Sequence, residues 1–159
     1  MTKIVIYDHV HQNGIDEMMN EIALEFEEQI VPKVTVETPS IPNNYWVALY
    51  NGKVVGTAGV VVVENDFGIL KKMMLKKEFR GKEFGLSKLL LETVIEWSKE
   101  NQISKIYLGT MNQFKAAQSF YKKNGFQEVL ENELPPNFLK NPLDKLFFVK
   151  DLNGLFTGN

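Results

Sequence analysis

The stretch from Tyr45 to Val63 constrains the fold more than any other part of the chain. It contains two apolar runs, YWVALY and KVVGTAGVVVV, which are joined by the dipeptide Asn51-Gly52. Asn-Gly readily supplies the two positive φ angles that a type I′ turn requires, so the segment predicts a tight antiparallel hairpin. Residues 64–66 predict a second turn, and residues 69–75 predict a third strand. An antiparallel sheet is therefore the core of the expected fold.

Further strands and helices are predicted on both sides of this meander. Residues 3–7 have the pattern of a strand, His9–Gly14 that of a loop, and apolar residues recur at helical spacing from Ile15 to Phe26. The order predicts one α+β domain over residues 1–159, with a central, mostly antiparallel mixed sheet of about seven strands flanked by helices. The later elements are predicted as a helix from Leu86, a strand over 103–110, a helix over 115–126 that stops at Gly125, and strands over 127–130 and 145–152. The helix from Leu86 is predicted to bury one stripe formed by Leu86, Leu89, Leu90, Thr93, Val94 and Trp97.

Composition argues against several classes of protein. The formal net charge of −2 does not favour nucleic acid as the main partner. The chain has no cysteine, which excludes disulfides, thiolate metal sites and a cysteine nucleophile, and fits a reducing compartment. No run approaches the roughly 20 apolar residues that cross a bilayer, and the N-terminal apolar run, broken by Asp8, is too polar for a signal peptide. No cluster has metal-ligand spacing. We therefore expect a cytoplasmic protein with no metal, no nucleic acid and no membrane partner.

A basic stretch precedes the helix that begins at Leu86. Six of the twelve residues from Lys71 to Lys82 are Lys or Arg. The N-terminus of a helix exposes unpaired N–H groups and the positive end of its dipole, and Gly81 and Gly85 allow the main chain to turn toward an anion. The stretch predicts a phosphate-binding loop, with a solvated basic turn as the alternative. The stretch is not a P-loop, because it lacks the Gly-Lys-Ser/Thr ending. It is not a dinucleotide-binding fingerprint either, because that motif needs a third glycine.

Two motifs resemble a known family. KKEFRGKEFGLSKLL, residues 76–90, resembles the acetyl-CoA pyrophosphate loop of the GCN5-related N-acetyltransferases (GNAT), Gln/Arg-x-x-Gly-x-Gly/Ala. Arg80 matches its first position and Gly85 its last, whereas Glu83 stands where the middle glycine is expected. AAQSFYKKNGF, residues 116–126, is similar to the family's last conserved helix, Phe/Leu-Tyr-x-x-x-Gly-Phe. With both motifs in this order among the predicted strands, the chain is identified as a member of the GNAT family over residues 3–150.

The resemblance implies transfer of an acetyl group from acetyl-CoA, as co-substrate, directly to a primary amine of a small molecule or peptide. It implies that two adjacent central strands splay apart to admit the pantetheine arm, and that Tyr121 protonates the departing thiolate. Glu25 and Glu28 fall in the region that lines the acceptor side, with a solvated helix surface as the alternative. A homodimer is one assembly that the resemblance allows. The residues implied in cofactor binding are Met73, Met74 and Leu75 for pantetheine, and Arg80, Gly81, Lys82, Glu83, Phe84 and Gly85 for the diphosphate.

No residue of this chain matches the family's general base. Ile69 and Gly109 stand where relatives carry a glutamate, and Phe114 stands where an asparagine is often seen. Since an alkylamine of pKa about 10 is almost wholly protonated at pH 7, some group must accept its proton. The sequence leaves open a water, a carboxylate from another element, or an amine of low pKa that needs no base.

The proline-containing excursion over residues 131–144 lies between the last two predicted strands. Loops carry specificity more often than scaffolds do, so Phe138, Asn141 and Asp144 are candidates, by position alone, for closing over an acceptor. The missing base also keeps open a second function, a non-catalytic acyl-CoA binding or regulatory module with the same fold. An RNA-binding domain that uses the lysine-rich stretch has little support.

Overall fold

The structure is a computed structural model that describes residues 1–26, 44–81 and 85–153. Short 3₁₀ turns lie at His9–His11, Lys77–Phe79 and Glu131–Glu133. The strands among these residues are β1 (Thr2–Ile6), β2 (Asn44–Tyr50), β3 (Lys53–Val63), β4 (Phe67–Leu75), β5 (Lys105–Thr110), β6 (Gln127–Val129) and β7 (Leu146–Asp151). The α-helices are α1 (Gln12–Ala23), α2 (Leu86–Glu100) and α3 (Lys115–Lys123).

The seven strands form one mixed sheet in the order β1-β2-β3-β4-β5-β7-β6. Every neighbouring pair is antiparallel except β4 and β5, which are parallel. The hairpin prediction is confirmed, because Asn51 and Gly52 have φ angles of 50° and 83° and β2 pairs with β3 across them. The second turn is confirmed as well, with φ angles of 52° and 56° at Glu64 and Asn65. Local turn chemistry therefore sets the register of the first half of the sheet.

The parallel seam between β4 and β5 is short. Among the described residues the two strands pair only at Gly68 with Ile106 and at Ile69 with Tyr107, although β4 continues to Leu75 and β5 to Thr110. Beyond that seam the ladder ends, which leaves what we call the β4–β5 gap, bordered by residues 70–75 of β4 and 108–110 of β5.

A bulge lies in β4 next to this gap. The register with β3 shifts between the pair Gly59–Lys71 and the pair Thr57–Met74, so β4 carries one residue more than β3 over this stretch. Lys72 has a φ angle of 56°, and its carbonyl accepts a hydrogen bond of 2.6 Å from the Thr57 hydroxyl. A bulge bends its strand and increases the local twist, and this bulge lies just beyond the point where the β4–β5 pairing stops.

Helices cover the sheet on two faces. On the face of α2 and α3, the main core includes Leu90, Ile106, Tyr121 and Phe148. On the face of α1, a second cluster is built around Met18, Val47 and Val54. A smaller cluster of Val63, Phe67 and Ile69 is packed against Tyr107 and Phe138. Because neighbouring side chains of a strand point to opposite faces and Leu70 belongs to the main core, Ile69 and Tyr107 lie on the α1 face.

The predicted loop over His9–Gly14 is wrong. Residues 9–11 form a 3₁₀ turn and α1 begins at Gln12. The Asp8 carboxylate accepts from the Val10 N–H at 3.0 Å, and the Asp8 N–H donates to His11 Nδ1 at 3.1 Å, so the side chains of Asp8 and His11 both cap the start of this turn. Gly14 lies inside α1, where an added Cβ would come within 2.8 Å of Val54. Here glycine allows close packing of the helix on β3 rather than ending it.

One position in the predicted stripe of α2 is wrong. Leu89 is 44% exposed, whereas Leu91, which the spacing did not select, is 1% exposed. The buried side of α2 is therefore rotated slightly from the predicted one, because the helix packs across both β3 and β4. Within the described parts of the chain, no helix is both long and apolar enough to cross a bilayer.

Candidate active site

Tyr121 is held at the end of α3 by aromatic packing. It is 6% exposed, and its ring centroid lies 5.6 Å from that of Phe126 and 6.2 Å from that of Phe148. The helix ends as predicted at Gly125, with a φ angle of 92°, and the Phe126 N–H donates to the Tyr121 carbonyl at 3.0 Å. Burial, and to a smaller extent the Asp144 charge, raise the pKa of the Tyr121 phenol well above its ordinary value. The phenol therefore keeps its proton at neutral pH.

The end of β4 borders the gap with its main chain. Met74 pairs with Thr57 and Leu75 with Gly56, so β3 occupies one side of this segment. The other side is beyond the last β4–β5 pair and is open to the gap. The side chain of Met73 packs on the main core and that of Met74 on the α1 cluster, which leaves the backbone between them as the border of the gap.

Arg80 connects this strand end to the turn that follows α1. Its Nε donates to the Leu75 carbonyl at 2.9 Å, and its two terminal nitrogens donate to the two carboxylate oxygens of Glu25 at 2.7 and 2.9 Å. A second, weaker ion pair joins Lys76 to Glu21 at 3.6 Å. One carboxylate on the last turn of α1 and one just after the helix are therefore paired with the basic stretch, an arrangement that the sequence did not predict.

Both glycines of the predicted phosphate loop have positive φ angles. Gly81 has a φ angle of 112° and Gly85 one of 61°, and Gly85 is the N-cap of α2. Gly85 has no side chain that could accept from the first-turn N–H groups, which a helix leaves unpaired. An added Cβ at either glycine would have no atom within 4 Å, so only the backbone conformation selects glycine there. Lys82, Glu83 and Phe84, like Glu28, lie outside the described residues.

Three residues meet on the α1 face beside the gap. Asp144 lies against the backbone of Gly109 on β5, where an added Cβ would be 2.8 Å from its Cγ. Burial raises the pKa of the Asp144 carboxyl, opposed by the Lys71 ammonium and by a backbone hydrogen bond from Asn141. Burial lowers the pKa of Lys71, opposed by Asp144, and Lys71 Nζ lies 3.4 Å from the Leu139 carbonyl. The sequence pointed to Asp144 only by position and to Lys71 only as part of the basic stretch.

An open depression lies apart from these residues. It has a volume of about 450 Å³ and is formed by Trp46, Trp97 and glutamates along the second half of α2. It is far along the helix from Gly85, and it is not part of the candidate site. Within the part of the chain that the structure describes, no three His, Asp or Glu side chains are grouped so that they could hold a metal ion.

A family comparison agrees with this geometry. Residues 15–126 match the sequence model described as the acetyltransferase (GNAT) family. The chain belongs to the GNAT family. Its seven-stranded mixed sheet with flanking helices is the GNAT fold, and a crystal structure of a GNAT-family acetyltransferase from Staphylococcus aureus Mu50 superposes with a TM-score of 0.80. That protein is 29% identical and the match covers 96% of this chain and 99% of the other.

Two other similar proteins are longer than this chain. The N-acetylaspartate synthetase of Danio rerio is 37% identical over 107 residues, which cover 65% of this chain and 37% of that protein. This chain thus spans little more than a third of that relative's length. The N-acetylglutamate synthase of Neisseria gonorrhoeae, crystallised with coenzyme A and N-acetyl-glutamate, shares the fold with a TM-score of 0.74 at 17% identity, over 96% of this chain and 35% of that one.

Proposed function

We propose that this GNAT chain transfers an acetyl group from acetyl-CoA directly to a primary amine. The observation that carries the proposal is the short seam at Ile69 and Tyr107, beyond which β4 and β5 leave a gap. A glycine turn at a helix N-terminus lies at the end of β4, and the phenol of Tyr121 lies close enough to Asp144 beside the gap to sense its charge. A site for a long phosphorylated thioester needs these three parts.

Each part has a role in binding acetyl-CoA. The main-chain amides around Arg80, Gly81 and Gly85, together with those of residues 82–84, hold the diphosphate at the positive end of the α2 dipole. The main chain of Met73, Met74 and Leu75 binds the pantetheine arm and directs an N–H at the thioester carbonyl, where negative charge develops. Acetyl-CoA supplies the activated acetyl group when it is bound.

Tyr121 supplies a proton to the departing sulfur. Because its pKa is raised, the phenol is protonated over the whole range in which the enzyme would work. The same apolar surroundings that raise the pKa of the phenol also raise that of a thiol formed beside it, so the transfer is not made unfavourable by burial. The phenolate that remains is then reprotonated from solvent or from a neighbouring acid.

We further propose an amino acid as the first acceptor class to test. The relative from Danio rerio is named N-acetylaspartate synthetase, and Lys71 places a half-buried cation on the α1 face, where it could bind an acceptor carboxylate. Glu25 and Glu28 stay predictions as acceptor contacts, and Glu25 is paired with Arg80 in this structure. A cytoplasmic location and a homodimer also stay predictions from the sequence.

Thiol release with a panel of amines tests the reaction. The panel contains L-aspartate, L-glutamate, neutral amino acids, a polyamine and a short peptide. The diamide of L-aspartate is the control, because it keeps the amine and lacks both carboxylate charges. We expect turnover with at least one amino acid, and kcat/KM about tenfold or more above that for its amide, the size of one lost charge-assisted hydrogen bond. Binding of acetyl-CoA without turnover across the panel would instead favour the non-catalytic module.

Replacing Gly85 by valine tests the diphosphate site. A β-branched residue is strained at the φ angle of 61° found here, so the first turn of α2 should shift. Loss of one main-chain bond to phosphate is expected to weaken acetyl-CoA binding about tenfold or more, as measured by calorimetry. Gly52→Val is the matched control, because Gly52 has a φ angle of 83° and also no atom within 4 Å of an added Cβ. Equal affinity of both variants for acetyl-CoA would show that this loop does not bind the diphosphate.

A further inference from the structure

Asp144 occupies the space of the side chain that Gly109 lacks. A Cβ built on Gly109 would lie 2.8 Å from Asp144 Cγ and 3.1 Å from Asp144 Cβ, and nearest of all to Oδ2. The carboxylate therefore lies directly against the Gly109 backbone. A residue with a side chain at position 109 would have to share this space with Asp144. The position on β5 without a side chain is thus filled by a carboxylate from the segment before β7.

The backbone fixes this carboxylate in place. The Lys145 N–H donates to the Thr110 carbonyl at 2.8 Å, which starts the pairing of β7 with β5. The Asp144 N–H donates to the Asn141 carbonyl at 3.0 Å, and the Asn141 side chain accepts from the Leu143 N–H at 2.9 Å. Asp144 is therefore attached on one side to a sheet strand and on the other to a tight turn, so its position depends little on loop motion.

The carboxylate and the phenol belong to opposite faces of the sheet beside the gap. Gly109 is two residues beyond Tyr107, so it shares the α1 face with Tyr107 and with the Asp144 side chain that covers it. Tyr121 belongs to the core on the face of α2 and α3. The two groups are close enough for the Asp144 charge to raise the pKa of Tyr121. A thioester in the gap would therefore have a proton donor on one side and a proton acceptor on the other.

We propose that the Asp144 carboxylate is the general base that accepts a proton from the acceptor amine. This inference rests on the proposed acetyl transfer. An acceptor that enters as an ammonium ion gives one proton to the carboxylate and becomes a neutral amine. The amine nitrogen then forms its bond to the acetyl carbon while the carbon–sulfur bond breaks. The nitrogen passes its second proton to solvent, Tyr121 protonates the sulfur, and the phenolate is reprotonated from solvent. Asp144 releases the proton that it accepted, so the products are the amide, the thiol and, in sum, one proton released to solvent.

The surroundings of Asp144 suit this role. Burial is the main reason that its pKa is raised, which moves the carboxylate toward the proton affinity of an amine and makes it a better base. The ionisable groups that face it from packed elements, among the described residues, are Lys71 on β4 and Tyr121 on α3. The charge of Lys71 acts against the effect of burial and favours the ionised carboxylate, which is the form that can accept a proton.

Asp144→Asn tests the inference, because asparagine has nearly the same shape and no basic oxygen. We expect kcat to fall about 100-fold at pH 7, near the lower end of general-base effects. The loss should shrink as pH rises, because more of the amine is then neutral. The dissociation constant for acetyl-CoA, measured by calorimetry, should not change. Asp151→Asn is the matched control, because Asp151 is an exposed carboxylate at the far end of β7.

Gly109→Ala provides a second, independent variant. The added methyl takes the space of the carboxylate and moves Asp144 without removing it, so kcat should fall although every ionisable group is retained. A carboxyl titration of the free protein by carbon NMR should show one aspartate with a raised pKa that is absent from Asp144→Asn. Wild-type kcat and an unchanged pH profile in Asp144→Asn would overturn the assignment while leaving acetyl transfer intact. Absence of thiol release from the wild-type protein with every amine would overturn the reaction itself, and the assignment with it.

Discussion

Replacing Tyr121 by phenylalanine is expected to lower kcat for acetyl transfer about 10²–10⁴-fold, the usual contribution of a positioned general acid. The ring contacts with Phe126 and Phe148 need only carbon atoms, so the variant keeps them and loses only the hydroxyl. Because the pKa of Tyr121 is raised, its loss should lower kcat at every pH between 6 and 9 rather than shift one limb of the profile. Steady-state thiol release over that range measures both effects.

Tyr45→Phe is the control for this change. Tyr45 is 8% exposed and burial raises its pKa too, but it lies on β2, two strands away from the gap. The control should retain wild-type kcat, whereas Tyr121→Phe should bind acetyl-CoA with unchanged affinity and turn it over slowly. If the two variants are equally active, Tyr121 is a packing residue and the thiolate leaves without its help.

Phe148→Ala is expected to lower the free energy of unfolding by about 3–5 kcal/mol, the usual range for a buried phenylalanine. Phe148 is 1% exposed on β7, which lies between β5 and β6, and its ring packs against Tyr121. A domain of this size is typically stable by only about 5–15 kcal/mol, so the variant should be close to unfolding at room temperature. Urea denaturation followed by circular dichroism measures the loss.

The smaller change Phe148→Leu separates volume from fold disruption. Leucine fills more of the space than alanine, so its loss of stability should be clearly less. Leu89→Ala is a surface control, because Leu89 is 44% exposed, and it should change stability by no more than about 0.5 kcal/mol. A loss below about 1 kcal/mol for Phe148→Ala would mean that the packing of Phe148 against Tyr121 is not a central part of the core.

Parts of the fold could be predicted from sequence where a local rule decides the backbone. Asn51-Gly52 can turn in few ways, and Gly125 followed by Phe126 ends a helix through contacts only a few residues long. The start of α1 does not follow from the sequence, because His9–His11 contain no strong helix signal and the turn that Asp8 caps is only three residues long. Exposure of Leu89 was missed because helical spacing defines a stripe but not its rotation against the sheet.

The candidate site was predictable only where a motif is continuous in the chain. Arg80, Gly85 and Tyr121 lie in such motifs. Some of the residues around each of them in space are also close in sequence, so a sequence pattern can identify them. Asp144 lies against Gly109 because β7 pairs with β5, and no sequence spacing between the two residues predicts this contact. The pairing of Arg80 with Glu25, 55 residues apart, depends likewise on how α1 lies against the end of β4.

The short pairing between β4 and β5 makes the stability of this protein depend on the concentration of a ligand that binds between the two strands. Two residue pairs join these strands directly, and a ligand lying between them would bridge the two parts of the sheet. A ligand that binds only the native state stabilises it by about 2.7 kcal/mol at a hundred times its dissociation constant. Proteases that cut the transiently opened chain would then act about a hundred times more slowly. The abundance of such a protein would follow the coenzyme A status of its cell.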